Sequence, residues 1–362
     1  MPDSARRCTR LAYCQFLLSS QINYTMTHLA AHTEAFSHDA ATRYLAGDTL
    51  SPRDLWHAVR ADLVPAPGGY LVFDDTVLDK NHSRHIALVR RQWSGNEHRP
   101  IRGIGVVTCV YVNPDLDRFW VIDYRLYAPE GPDGDGRTKP EQVRDMLLAT
   151  LDRGHPASKR LPDGTRLPVR AVLMDTWYAT RPLMRLIEQL GHIYFCPLKG
   201  NRCVDPVWRA TGARRVYQYT TIGALAWSAH AQAHGQDVHL KDFPQGHRVR
   251  LFRVVLSTER TDYVATNDRT QDATAAVRDV IGWRWKIEQL HREAKQVTGI
   301  ERCQARRARS QRNHIACALL VWHRLAQVAA ATQQSIYAVK YGQLASYLRH
   351  QLRRPSVPMV FA

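Results

Sequence analysis

Three carboxylate side chains are the candidate catalytic residues of this chain. Two apolar runs end in aspartate: residues 70–73 precede Asp74 and Asp75, and residues 169–174 precede Asp175. The third carboxylate, Glu288, lies in a stretch with helical spacing. Aspartate and glutamate oxygens are the ligands that Mg²⁺ and Mn²⁺ prefer. In a basic protein, such a set indicates two-metal phosphodiester chemistry.

The first aspartate position holds two candidates, Asp74 and Asp75. Neighbouring residues of a strand point to opposite faces, so only one of them can face the other ligands. Asp175 ends an apolar run that suits a central buried strand, and open α/β sheets place ligands at the carboxyl ends of such strands. Taken alone, each aspartate could instead be a solvated helix cap, and Thr176 could equally serve as the cap near Asp175.

Basic side chains surround Glu288. Helical neighbours lie three and four residues apart, so cations at this spacing share one face with Glu288. They are Arg284, Arg292 and Lys295. His291 is on the same helix and is expected to pack or bond locally. A denser basic run follows, for which we predict contacts to a phosphate backbone, with a solvated basic face as the alternative. It comprises Arg302, Arg306, Arg307, Arg309 and Arg312.

Composition restricts the classes of protein that this chain can be. Fifty Lys and Arg against 33 Asp and Glu give a net charge of +17, which suits a polyanionic partner such as DNA. No apolar run reaches the roughly 20 residues of a membrane span, and no clean signal core follows the N-terminus, so we expect a cytoplasmic protein without membrane contact. Seven cysteines without a C-x-x-C pair make a zinc ribbon or a redox motif improbable.

The patterns predict an α/β protein that begins with helices. Residues 10–62 are predicted to be helical, with Ser37 as a cap and Ser51-Pro52 as a start signal. Three short helices in a basic protein are compatible with a helix-turn-helix, in which residues 38–45 would be the recognition helix and Arg43 would be exposed. An ordinary helical cap on the core is an equally good interpretation.

The remaining pattern predicts a mixed sheet. Residues 70–76, 104–112 and 118–127 are predicted antiparallel strands, and residues 80–100 a polar loop that could lie on DNA. A helix over 140–153, a strand over 169–174, a helix over 181–190 and a strand over 192–198 follow. Residues 272–296 are predicted to form one helix that carries Glu288.

The order Asp, Asp, Glu with these flanking cations resembles the DDE transposases of bacterial insertion sequences. Their closest branch carries the signature Tyr-x-x-Arg-x-x-x-Glu-x-x-x-x-x-x-Lys. Arg284, Glu288 and Lys295 match its Arg, Glu and Lys, whereas Ile281 replaces the Tyr that helps to hold a DNA phosphate in relatives. The resemblance extends from about residue 19 to about residue 325. Relatives show Asp-x-Thr at the first aspartate, which favours Asp74.

This resemblance implies a ribonuclease H-like core. The expected domains are a helical DNA-binding domain (1–65), the first part of the core (66–198), a β-rich insertion (199–270), the second part of the core (271–330) and a helical tail (331–362). Asp74, Asp175 and Glu288 would bind two Mg²⁺ ions, with Mn²⁺ as a substitute, and Arg284 and Lys295 would contact phosphates beside the cut.

The implied function is that of a transposase. A homodimer would bind inverted-repeat ends, cut the 3′ strands and join them to target DNA. A catalytically inactive DNA-binding derivative and a metal-dependent nuclease without strand transfer are the alternatives. An aromatic residue of the insertion could stack on a flipped base. The candidates are Trp208, Tyr217, Tyr219 and Trp227.

Overall fold

Four helices begin the fold. The computed structural model describes residues 7–81, 83, 85–95, 97–207, 217–257 and 260–358. Serine side chains start two of the first helices as predicted, because Ser37 accepts a hydrogen bond from the backbone of Ala40 and Ser51 forms a capping box with Asp54. The helices are α1 (Arg10–Ser19), α2 (Met26–Ala31), α3 (His38–Gly47) and α4 (Pro52–Val59).

A mixed sheet follows the helices in the predicted order. The strands and helices of this part are β1 (Tyr70–Asp79), β2 (Arg90–Ser94), β3 (Arg99–Asn113), β4 (Arg118–Tyr127), α5 (Lys139–Leu151), β5 (Ala171–Met174), α6 (Arg181–Gln189) and β6 (Ile193–Leu198). β3 pairs antiparallel with both β1 and β4, while β1, β5 and β6 run parallel. This strand arrangement agrees with the ribonuclease H-like order that the sequence indicated.

The polar segment between β1 and β3 was wrongly predicted to be only a loop. Residues 90–94 form β2, which pairs antiparallel with the first residues of β3. Its side chains alternate between exposed and partly buried positions, so the strand lacks the apolar alternation by which strands are recognised in a sequence. β2 forms one edge of the sheet and brings Trp93 to the same side as the cleft described below.

The segment after β6 extends the same sheet. It contains β7 (Cys203–Asp205), β8 (Thr220–Thr221), a 3-10 turn (Ile222–Ala224), α7 (Ala229–His234), β9 (Gln236–Leu240), β10 (Val249–Val255) and β11 (Thr261–Thr266). β11 pairs antiparallel with β6, with Tyr263 opposite Leu198. β10 and β9 follow outward. Within the described residues, the sheet has eleven strands.

Five helices complete the described chain. They are α8 (Thr274–Gly282), α9 (Trp285–Val297), α10 (Ala308–Thr332), α11 (Ile336–Gly342) and α12 (Ala345–Arg353). The prediction of one helix over residues 272–296 was wrong, because the backbone tightens after Gly282. Trp283, Arg284, Lys286 and Ile287 each donate to the carbonyl three residues earlier, as in a 3-10 helix. Arg284 is therefore the residue that precedes α9.

A single hydrophobic cluster joins these elements. α10 packs against α1, α3, α4 and β4, and α9 packs against β1, β3 and α10. Glu293 of α9 accepts a hydrogen bond from the indole of Trp322 in α10 at 2.9 Å, which fixes the two helices relative to each other. By length and composition alone, α10 is long and apolar enough to cross a membrane. In this fold its apolar residues contribute to the core.

Candidate active site

Asp74 and Asp175 are brought side by side by strand register. β1 and β5 run parallel with Phe73 opposite Met174, so Asp74 and Asp175 occupy the next pair of positions. Asp175 directly follows the end of β5, as predicted. Asp74 was predicted near the end of its strand, but β1 continues to Asp79 because it remains paired with β3 as far as Gly103. The two aspartates therefore meet where β5 ends and β1 continues.

The two carboxyl groups disfavour each other's charge. Burial, together with the neighbouring Asp175 and Asp75, raises the pKa of Asp74 to about 8. Burial and the charge of Asp75 also raise the pKa of Asp175. Two partly desolvated carboxylates at adjacent positions repel each other, and a bound cation removes this repulsion. The pair thus has the electrostatics of a cation site.

Asp75 has partners of its own. Its Oδ2 lies 2.5 Å from Nζ of Lys139 on α5, and its Oδ1 accepts a hydrogen bond of 2.6 Å from the hydroxyl of Tyr178. By contrast, the carboxylate of Asp74 accepts one hydrogen bond among the described residues, from the backbone N–H of Asp75. Asp74 is therefore the better available ligand of the two.

Asp175 stabilises the turn that follows it. Its Oδ1 accepts hydrogen bonds from the backbone N–H groups of Trp177 and Tyr178, at 2.9 and 3.0 Å. Asp175 thus caps the turn that follows β5, but it does not cap a helix. The N-cap residue of α6 is Thr180 rather than Asp175 or Thr176. Both turn hydrogen bonds use Oδ1, and within the described part of the chain Oδ2 accepts none.

Glu288 reaches the same cleft from the first turn of α9. Its Oε1 lies 3.0 Å from the guanidinium of Arg284. Among the described residues, no three His, Cys, Asp or Glu side chains are already grouped as a metal site. In this structure Glu288 is paired with Arg284, and it would have to leave Arg284 to complete a set of ligands with the two aspartates.

His291 connects α9 to the sheet behind the aspartates. Its Nε2 lies 2.8 Å from the hydroxyl of Thr108, which is opposite Asp74 in the β1–β3 register. The same hydroxyl donates to the backbone carbonyl of Asp74 at 3.3 Å. Burial lowers the pKa of His291 to about 4, so the ring is neutral near pH 7. His291 therefore forms a local hydrogen bond, as expected.

Lys295 also bonds to protein groups. Its Nζ donates to the carbonyl of Val77 at 2.8 Å and lies 3.1 Å from Oε1 of Glu301. Glu301 in turn accepts a hydrogen bond from the backbone of Asp79. Lys295 thus holds α9 against the second half of β1, and it still lines the cleft.

The three carboxylates line one cleft of about 810 Å³. Its other walls carry cations and large aromatic rings. The cations are Lys139, Lys199, Arg292 and Lys295, and the rings are those of Trp93, Trp177 and Trp285. An acidic floor bordered by cations can hold divalent ions below and the phosphates of a nucleic acid strand above.

Several residues predicted to bind DNA lie outside the lining of this cleft. The side chains of four arginines that follow α9 are exposed: Arg302, Arg306, Arg307 and Arg309. Arg312 donates to the carbonyl of Asp133. Arg43 is exposed on α3 and borders a separate cavity of about 910 Å³. Ile281, at the signature Tyr position, is buried at the end of α8.

The aromatic residues of the segment 199–270 are mainly occupied with one another. Tyr217 stacks on His239 with ring centroids 4.2 Å apart and also on Tyr219. Trp227 stacks on Tyr263. Trp208 lies outside the described residues. None of the three described rings lines the cleft that holds the carboxylates.

The cleft contains functional candidates that the sequence did not reveal. Lys199 directly follows β6, so the rule that places ligands at the ends of parallel strands would have identified it. Trp177 and Trp285 lie two and three residues from predicted ligands, but indoles close in sequence to a ligand are more often part of a core. Trp93 and Lys139 gave no local signal, because they reach the cleft only through β2 and α5.

Comparison with known families identifies the protein class. Residues 1–242 match the DDE superfamily endonucleases, and the chain belongs to this family. The match includes Asp74 and Asp175 and ends before Glu288. Comparison with curated proteins gives no sequence match. Among solved structures, the chain is similar to the Drosophila P element transposase strand transfer complex at 13% identity and a TM-score of 0.26. The similarity covers 53% of this chain and 38% of the other.

Proposed function

We propose that this protein is a DNA transposase that cuts the 3′ strands at inverted-repeat ends and joins them to target DNA. The observation that carries the proposal is the placement of Asp74 and Asp175 at adjacent strand positions in one cleft with Glu288. Membership of the DDE endonuclease family supports DNA cleavage. The resemblance to insertion-sequence transposases supports the transfer step, a homodimer that brings two ends together, and action in the cytoplasm.

The donor set of the cleft fits a divalent metal. Asp74 and Asp175 would hold Mg²⁺, or Mn²⁺ in its place, because the two aspartates occupy adjacent positions in the cleft and a cation between them would remove their mutual repulsion. Glu288 would complete the ligands after it leaves Arg284. When bound, such ions polarise the scissile phosphate and lower the pKa of the attacking hydroxyl group.

The remaining residues of the cleft position the site and the DNA. Lys139 and Tyr178 each bond to one oxygen of Asp75, so that this carboxylate is engaged by protein groups. His291 holds α9 against Thr108 of β3 and Lys295 holds it against Val77 of β1, which keeps the helix that carries Glu288 beside the cleft. Once Glu288 has left it, Arg284 would be free to bind a phosphate beside the cut. Arg292 and Lys199 are exposed in the cleft and would neutralise neighbouring phosphates.

DNA would extend beyond the cleft onto other basic surfaces. The segment between α9 and α10 carries Arg302, Arg306 and Arg307. Its backbone is held in place because the carbonyl of Arg306 accepts a hydrogen bond from the backbone N–H of Ala87. Arg309 continues this surface on α10. On the N-terminal helices, Arg43 is a second candidate contact. These assignments follow from exposure and charge, and they predict salt-dependent binding.

The experiment is a cleavage and joining assay on DNA that carries the inverted repeats flanking the gene, with Mg²⁺ or Mn²⁺. Wild type is compared with Glu288→Gln and with Asp272→Asn, a matched change at an exposed carboxylate outside the cleft lining. The proposal expects cutting and joining in wild type and the control, and loss of both in Glu288→Gln. Binding without cutting in all three proteins would instead support the inactive DNA-binding derivative.

A nuclease without strand transfer is the second candidate, since the matched family is described as endonucleases. The same assay separates the two functions. Metal-dependent cutting that never yields joined products would support the nuclease. Joined products that require a free 3′-hydroxyl on the cut strand would support the transposase.

A further inference from the structure

Three tryptophans project into the solvent of the catalytic cleft. Trp93 and Trp177 are each 61% exposed, and Trp285 is 53% exposed. All three line the cleft that holds the carboxylates. Exposed tryptophans are uncommon, because each ring keeps a large apolar surface in water. Three of them around one acidic cleft indicate a surface that becomes covered when a ligand binds.

The rings stand on three different walls. Trp93 belongs to the edge strand β2, Trp177 to the turn after β5, and Trp285 is the first residue of α9. The backbone of Trp177 is fixed, since its N–H donates to Oδ1 of Asp175 at 2.9 Å. The guanidinium of Arg292 lies 5.4 Å from the ring centroid of Trp285, where it covers part of that ring. The backbone of Trp177 and the ring of Trp285 are therefore each in contact with another residue of the cleft.

The charges of the cleft restrict what could cover these rings. Lys199 and Arg292 are exposed cations beside the tryptophans, and the floor is acidic. Cations together with open aromatic faces match a single nucleic acid strand, whose phosphates pair with the cations while its bases stack on the rings. A fully paired duplex hides its base faces within its own stack and would leave the indoles uncovered.

We propose that the cleft binds DNA whose bases are unpaired at the cutting site, and that these bases stack on Trp93, Trp177 and Trp285. This inference rests on the proposed function, because it assigns the DNA strand of that reaction to the cleft. It names the substrate class of the chemical step as a locally melted or single-stranded end. The stacking residues lie beside the carboxylates and outside the segment 199–270.

The test compares strands that differ only in their bases. Binding of a fluorescent 20-nucleotide oligothymidylate is measured by anisotropy in Ca²⁺ buffer, beside an abasic oligonucleotide of the same length. Stacking on one indole favours the strand with bases by about 5- to 150-fold. Trp177→Ala should reduce this preference, and the triple change of Trp93, Trp177 and Trp285 to Ala should abolish it.

The control is Tyr347→Ala, since Tyr347 on α12 is also 61% exposed and lies outside the cleft lining. It should retain the full preference, and Trp177→Phe should retain part of it because an aromatic face remains. Thermal unfolding of each variant establishes that it is folded. Equal affinity of wild type for the two oligonucleotides, or an undiminished preference in the triple variant, would overturn the stacking proposal.

The outcome separates this inference from the proposed function. If the protein prefers strands with bases, needs the tryptophans for this preference and never cuts DNA, the stacking proposal stands and the transposase proposal is contradicted. Full cutting and joining by the triple variant, without any base preference in wild type, would leave the transposase intact and contradict stacking.

Discussion

Nζ of Lys139 lies 2.5 Å from Oδ2 of Asp75, so the second aspartate of β1 is neutralised by a residue of α5. The hydroxyl of Tyr178 bonds to the other oxygen of the same carboxyl group. Asp74, one residue earlier, has no ion-pair partner within the described part of the chain and stands beside Asp175. Two chemically identical neighbours therefore have different environments, and we expect them to have different functions.

Exchanging each aspartate for asparagine separates these functions. Asp74→Asn should lower metal-dependent cleavage by at least about 10²-fold, because it removes a charge at the reacting centre. Asp75→Asn should retain most of the metal affinity, because it alters a carboxylate that Lys139 already neutralises. Calorimetric titration with Mn²⁺ and single-turnover cleavage measure the two effects. Loss of Mn²⁺ binding in Asp75→Asn but not in Asp74→Asn would reverse the assignment.

The raised pKa of Asp74 predicts how stability depends on pH without metal. Its ordinary value is 3.8 and its folded value is about 8, so between these values the folded state binds the proton more tightly than the unfolded chain. Stability should therefore fall as pH rises from about 4 to about 8. Asp74→Asn should flatten this fall and exceed wild type at pH 8 by on the order of a few kcal/mol, since one pKa unit corresponds to about 1.4 kcal/mol.

Denaturant unfolding at pH 5 and pH 8 in a chelating buffer measures this difference. Asp272→Asn, at an exposed carboxylate, is the control and should follow wild type at both pH values. Adding Mg²⁺ at pH 8 should stabilise wild type more than Asp74→Asn. Parallel pH curves for wild type and Asp74→Asn would show that Asp74 is not electrostatically strained.

The positions of the two aspartates were predictable from the sequence, whereas their surroundings were not. Apolar runs that end in aspartate identified β1 and β5, and the helical spacing around Glu288 identified α9. β2 was missed, because two of its five residues are exposed and its alternation is not apolar. Lys139 reaches Asp75 across 64 positions of sequence, and only the tertiary packing of α5 creates that contact.

Lys295 was predicted to bind a phosphate, but it also holds the fold together. Lys295→Met should destabilise the protein by about 1–3 kcal/mol, because the carbonyl of Val77 and the carboxylate of Glu301 lose their partner. Adding Glu301→Gln should recover part of this loss by removing the unpaired charge. Chemical denaturation of the single and double variants gives the coupling energy. A stability equal to that of wild type, with weaker DNA binding, would favour a purely DNA-contacting lysine.

The basic segment between α9 and α10 should determine part of the salt dependence of DNA binding. Arg306 and Arg307 are exposed, and each phosphate contact contributes about 0.9 to the slope of log K against log salt. Changing both to Gln should therefore lower the magnitude of that slope by about 2. The matched control changes Arg349 and Arg353, which are exposed on α12. If the two double variants had equal slopes of log K against log salt, DNA would not contact Arg306 and Arg307.

The most direct test of the central claim is a metal-specificity switch at Asp175. A thiolate favours softer metals than the Mg²⁺ that carboxylates prefer, so Asp175→Cys should lose DNA cleavage in Mg²⁺ and regain part of it in Mn²⁺ or Zn²⁺. The same change at Asp272 should leave cleavage in Mg²⁺ unaltered. Cleavage by Asp175→Cys at the wild-type rate in Mg²⁺ would contradict the assignment of Asp175 as a metal ligand. It would also contradict the active site proposed for this chain.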